Sequence, residues 1–163
     1  MKVNGKKADF ALVREEGGRI IISYGLKKIS NALYEWHEIV LYKKQVNNLN
    51  MEVVKTSIIE DINRRVKDKI VKGFVWNDKA VWLSEENQVN FAQAIAPVRL
   101  KIGEQEDGTS VYQDFETQEE ITEFVNAYSL WRQQCLTEGW QEKDAVEWGG
   151  YKDLFPAAES MER

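Results

Sequence analysis

Apolar residues along this chain change their spacing near residue 50, and that change organises the reading. Before it they alternate, or run in short blocks bounded by glycine and asparagine, the pattern of strands and tight turns. Asp9-Phe10-Ala11-Leu12-Val13-Arg14 and Arg19-Ile20-Ile21-Ile22-Ser23-Tyr24 read as a hairpin. Glu15-Glu16-Gly17-Gly18 makes its turn, because glycine reaches positive φ without a Cβ penalty. Leu33 to Lys43 reads as a third strand, with Tyr34, Trp36, Val40 and Tyr42 on one face and Leu33, Ile39 and Leu41 on the other. Apolar residues on both faces imply a strand covered on each side, a partner chain being one such cover.

From Met51 to Lys72 the period becomes helical, with Met51, Val54, Ile58, Ile62, Val66 and Ile70 recurring at steps of three or four. Such a helix is roughly 33 Å long, enough to connect two units. It reads first as a packed core helix and second as an oligomerising one, with Ile58 and Ile62 as its contact residues. No clean heptad runs through it, which disfavours a strict coiled coil.

Next, Phe74 to Leu83 forms a compact hairpin around Asn77-Asp78, a pair that tolerates positive φ. Ser84 is placed to cap the helix that follows to Ala96, with Val89, Ala92, Ile95 and Ala96 inward and Pro97 ending it. Val98 to Ile102 and Val111 to Phe115 make a second hairpin around Asp107-Gly108. Thr117-Gln118-Glu119-Glu120 has capping-box spacing and opens the longest C-terminal helix. That helix faces inward with Ile121, Phe124, Val125, Tyr128, Trp131, Cys135 and Leu136, and Gly139 is placed to stop it in a left-handed cap. Trp140 to Trp148 reads as a short helix with Ala145, Val146 and Trp148 inward.

The expected fold class is therefore α+β. A small antiparallel β unit over 1–50 would serve attachment or oligomerisation, and an amphipathic helix over 51–72 would connect it onward. A module of two β-hairpins and three helices would fill 73–155, and a tail over 156–163 would fray.

Composition narrows the function classes. At 163 residues with 43% hydrophobic content and six each of Trp, Tyr and Phe, the chain can build a real core. A formal net charge of −5 argues against nucleic acid as a partner, which needs clustered cations to displace counterions. The run Arg64, Arg65, Lys67, Lys69 and Lys72 is interrupted by Asp68 and reads as a solvated helix face. Cys135 is the only cysteine, so no intrachain disulfide forms. No apolar leader and no run near the roughly 20 residues of a membrane span occurs, so the expectation is a soluble protein made in the cytoplasm, with no membrane partner.

Candidate chemistry is sparse. One His and one Cys leave a zinc site short of ligands. His37, the only histidine, reads as an ordinary strand residue, and Cys135 as a buried small hydrophobe. Glycine-rich phosphate loops are missing. The acidic pairs Glu85-Glu86, Glu119-Glu120 and Asp144 with Glu147 fall near helix starts or on outer helix faces. The expectation is no catalytic residue, no metal and no cofactor. Trp76, Trp82, Trp131, Trp140 and Trp148 read as core, with a sugar-stacking platform as the alternative.

Several stretches of the C-terminal part carry a likeness. They are Lys69-Ile70-Val71-Lys72-Gly73-Phe74-Val75-Trp76-Asn77 and Val81-Trp82-Leu83-Ser84-Glu85-Glu86-Asn87-Gln88-Val89-Asn90-Phe91, then Val111-Tyr112, Phe115-Glu116-Thr117 and Glu138 to Trp148. With these, the region Lys69 to Trp148 resembles a domain family of unknown function from phages and prophages of gut bacteria, often found near tail genes. The resemblance brings no activity. It implies a non-enzymatic structural or adaptor protein of a tailed-phage virion, packing against other virion proteins and against copies of itself. On that reading Tyr34, Trp36, Val40 and Tyr42, with Ile58 and Ile62, are the candidate partner-binding residues. The alternative is a carbohydrate-binding host-recognition module that takes a surface glycan on exposed tryptophans.

Overall fold

The computed structural model describes residues 1–156, so the tail expected to fray lies, except for Pro156, outside the described residues. The protein is α+β, with N-terminal antiparallel strands, a long helix, and then hairpins and helices. In chain order the strands are β1 (Lys2–Gly5), β2 (Val13–Glu16), β3 (Arg19–Lys28), β4 (Tyr34–Tyr42), β5 (Phe74–Trp76), β6 (Lys79–Val81), β7 (Val98–Glu104) and β8 (Ser110–Phe115). The helices are α1 (Met51–Gly73), α2 (Glu85–Ala92), α3 (Gln118–Asp144) and α4 (Trp148–Lys152). None of them, among the described residues, is long and apolar enough to cross a membrane.

The chain forms two compact units, Met1–Asn63 with residues 141–156, and Arg64–Trp140. The division falls inside α1 and not at residue 50. Its physical reason is burial: Val54, Ile58 and Ile62, all 0% exposed, complete the core of the first unit. Strands of that size could not bury enough apolar surface alone.

In the first unit the sheet order is β1-β4-β3-β2, antiparallel throughout. Ile20, Ile22 and Tyr24 of β3 stand opposite Leu41, Ile39 and His37 of β4, and share one face. Arg19, Ile21 and Ser23 stand opposite Tyr42, Val40 and Glu38 on the other. The strand covered on both faces is β3, where Ile20 to Tyr24 are buried without interruption, and not β4, where only Trp36 and Glu38 are. Residues 7–9 make a 3-10 turn in place of the expected strand start, closed by Lys6 N–H donating to Asp9 Oδ2 at 3.0 Å. β1, four mostly polar residues, carries no hydrophobic signal and finds its place only by pairing with β4. Asn50 caps α1 by accepting from Val53 N–H at 3.0 Å.

In the second unit Phe74, Val81, Leu83, Phe91, Ile102, Phe115, Ile121, Phe124 and Tyr128 form the core. Phe124 is its centre, with the rings of Trp76, Phe91, Phe115 and Tyr128 at 5.2–5.5 Å and Phe74 at 6.2 Å. The Asn77-Asp78 turn and the Ser84 and Thr117 caps are realised as read. Asn77 and Asp78 take φ of 47° and 62°, and Ser84 Oγ accepts from Asn87 N–H at 3.1 Å. Thr117 Oγ1 accepts from Glu120 N–H (3.3 Å) while Glu120 Oε2 accepts from Thr117 N–H (3.4 Å), completing the capping box.

Two helix readings are corrected. α2 ends at Ala92 and not at Ala96; it buries Phe91 and leaves Val89 outward at 54% exposure, and Ile95, beyond the helix end, is 79% exposed. A helix of two turns can anchor only one large side chain, and Phe91 removes more apolar surface from water than valine does. α3 does not stop at Gly139 but continues to Asp144, so residues 140–144 belong to it and no separate helix starts at Trp140.

Candidate partner-binding surfaces

The partner-binding residues expected on β4 and α1 separate into two groups. Trp36 is 2% exposed, and Ile58 and Ile62 are fully buried, so none of the three presents surface to a partner. This corrects the expectation, and the cause is a polar cluster in one case and the sheet in the other. Trp36 packs edge-on against Phe10 (5.8 Å) and donates its Nε1–H to Glu38 Oε1 at 3.0 Å. Gly5 leaves the room: a Cβ there would lie 2.7 Å from the Trp36 ring. Ile58 and Ile62 lie on the same side of α1 as Val54, the stripe that the β unit buries.

Val40 and Tyr42, at 37% and 50% exposure, do face outward, beside Ile21 and Arg19 on β3. Tyr34 is half-buried, opposite Gly5 of β1 and Lys28 of β3. In the same row, between Trp36 and Val40, sits Glu38, which is buried and accepts from Arg14 Nη1 at 2.9 Å as well as from Trp36. Burial pushes the Glu38 carboxyl up. The hydrogen bonds from Arg14 and Trp36, with the positive charges of Arg14 and the N-terminus, outweigh it and hold the group below the usual carboxylate range. The hydrogen bonds to Glu38 and Glu16 raise Arg14 in turn.

His37 stacks on Tyr24 (5.2 Å between ring centres), and its Nε2 lies 3.7 Å from Glu142 Oε1. Tyr24 donates its hydroxyl proton to Asp61 Oδ2 at 2.5 Å. These contacts join the sheet to α1 and to the last turn of α3 within the first unit. Cys135 is 1% exposed, and burial pushes its thiol up, which keeps it protonated and a poor nucleophile at neutral pH. Among the described residues no group of three or more His, Cys, Asp or Glu is arranged to hold a metal ion.

A further outward surface lies on the two hairpins of the second unit. Val75 opposes Ala80 across β5 and β6, and Trp82 follows two residues on, so the three share one face. Trp82 N–H donates to Ile102 O at 2.8 Å, setting β6 beside β7. Gly103 permits that approach, since a Cβ would lie 2.8 Å from Ala80 O. Lys79 Nζ bonds Tyr112 O at 2.9 Å, tying the first hairpin to β8. Val75, Trp82 and Tyr112 are 59%, 46% and 43% exposed. Lys72 lies 5.9 Å from the centre of the Trp82 ring and Arg99 4.7 Å from that of Tyr112. Of the five tryptophans read as core, Trp76 and Trp131 pack against the core of the second unit and Trp148 is half-buried, whereas the reading fails for Trp82 and for Trp140, the latter 56% exposed. The signal for Trp82 was in the sequence: in a period-two strand it must oppose its neighbours Val81 and Leu83, both buried.

No protein-family model, no curated protein and no solved structure is significantly similar to this chain.

Proposed function

We propose that the chain is a non-enzymatic structural or adaptor protein of a tailed-phage virion, acting by packing against copies of itself and against neighbouring virion proteins. One observation carries this reading. Among the residues behind the phage-family resemblance, Phe74, Val81, Leu83, Phe91 and Phe115 lie in the core of the second unit, while Val75, Trp82 and Tyr112 lie on its outward hairpin face. The first set holds a shape. The second contributes nothing to that shape and gains by being covered, since each large apolar side chain removed from water is worth roughly 1.5–3 kcal/mol. Val40 and Tyr42 offer a similar, smaller row on the first unit.

Size-exclusion chromatography with light scattering on the full chain tests it. The expected result is a defined oligomer that Trp82→Lys or Tyr42→Lys weakens without lowering the unfolding temperature. A chain that is monomeric at every concentration, and retains no protein from an intact particle, would sink the proposal.

A further inference from the structure

In the first unit, helix periodicity brings Glu52, Lys55 and Thr56 of α1 to one side, where Trp148 and Lys152 of α4 face them. Together with Met51 and Ile59 these residues line an open groove of about 610 Å³. Trp148 is half-buried, with its ring tilted against that of Tyr151 (6.2 Å between ring centres), while Lys55, Thr56 and Lys152 are exposed. Lys55 Nζ stands 6.0 Å from the centre of that ring, the outer limit of a cation–π contact, so little is lost when the ammonium moves elsewhere. None of these groups belongs to the surfaces described above.

We propose that this groove binds a monoanionic sugar of the uronic-acid type. The sugar ring stacks on the face of Trp148, its carboxylate lies between the Lys55 and Lys152 ammoniums, and its hydroxyls donate to the Glu52 carboxylate and bond the Thr56 hydroxyl. Three features select this class. Two lysines against one glutamate leave a single net positive charge, which favours an anionic sugar over a neutral one. An indole face in an open groove suits a ligand whose C–H face is apolar and whose edge stays hydrated; a purely aromatic acid gains more from an enclosed apolar pocket. Glu52 and Thr56 supply acceptors that such an aromatic acid would leave unused. The inference goes beyond the packing role and does not depend on it.

The test is titration of the full chain with sodium D-glucuronate, D-glucose and sodium acetate, followed by calorimetry and by amide chemical shifts. Glucuronate is expected to bind saturably and to shift residues around Trp148. Glucose, lacking the carboxylate, binds about fivefold more weakly, the worth of one exposed ion pair. Acetate, lacking the ring, shows no saturable binding. Lys152→Gln lowers the preference for glucuronate over glucose, and Trp148→Leu weakens both sugars. Trp148 also packs against Tyr151, so the exposed Lys152→Gln carries the decision, with its thermal unfolding as the folding control. Equal binding of the two sugars, acetate binding as well as glucuronate, a preference intact in Lys152→Gln, or no saturable binding of glucuronate would each overturn the proposal. Oligomeric state is read separately, so its outcome leaves this one unaffected.

Discussion

Gly139 of α3 and Val66 of α1 meet where no side chain fits: a Cβ on Gly139 would lie 2.5 Å from Val66 Cγ2. Glycine in a helix interior costs about 1 kcal/mol relative to alanine, so its use here offsets a worse overlap. Val66 is β-branched and helical, held to one rotamer, and cannot turn away. Gly139→Ala should therefore destabilise the protein by about 2 kcal/mol, the overpacking cost less the propensity gain. In a Val66→Ala background the same substitution should be neutral or stabilising. Urea unfolding of the four variants of this cycle decides it, and an equal loss in both backgrounds would refute the steric account.

Glu38 makes stability acid-sensitive. Its folded-state pKa lies below the ordinary carboxylate value, so its contribution is complete above that value and is lost as pH falls through the folded one. Arg14→Met should cost about 1.5–3 kcal/mol at pH 7, the worth of a hydrogen bond to a charged group. The gap from the wild type should shrink once Glu38 is protonated. Denaturant midpoints measured from neutral pH down through the carboxylate range check this, and a gap that stays constant would be the wrong outcome.

Tyr151 sets the alkaline side. It is 2% exposed and donates to Ser23 O at 2.5 Å, and burial pushes its pKa up to about 12. An unfolded tyrosine ionises near 10, so between about 10 and 12 the unfolded state holds fewer protons and stability falls with rising pH. The loss over that window is on the order of 2–3 kcal/mol. Tyr151→Phe should be less stable at pH 7 by about 1 kcal/mol, from the lost hydrogen bond, and should lack this alkaline step. Unfolding curves from pH 8 upward on both proteins separate the two contributions.

Phe124 is the position where truncation should do most harm. It is 0% exposed and touches five other aromatic rings of the second unit. Phe124→Ala should cost about 3–5 kcal/mol, from lost transfer energy and the cavity left behind. Trp82→Ala, on the outward face, should change stability by less than about 1 kcal/mol. Comparable losses at the two positions would mean that the inward and outward assignments are wrong.

Signals confined to a few neighbouring residues were legible in the chain itself. Asn77-Asp78 adopts its turn, Ser84 and Thr117 cap their helices, and α1 begins at Met51, because each depends on backbone groups within one turn of the residue concerned. The candidate surface was legible in part: Val40 and Tyr42 point outward as a period-two strand allows, and Val75 and Trp82 follow the same rule. Periodicity also marked Ile58 and Ile62 as one apolar stripe, but an apolar stripe is the same whether a strand of its own unit or another molecule covers it.

Which cover it receives is a matter of distant parts of the chain, and there the tertiary structure decided. Trp36 is buried because Phe10, Gly5 and Glu38 converge on it, and β1 exists because β4 offers it an edge. Gly139 is a contact point and not a stop, because Val66 arrives from 73 residues away in sequence. Local sequence determined where turns and helix ends fall, since those energies are short-range. Packing determined which faces are spent inside, since that energy depends on area shared between segments that the chain order does not bring together.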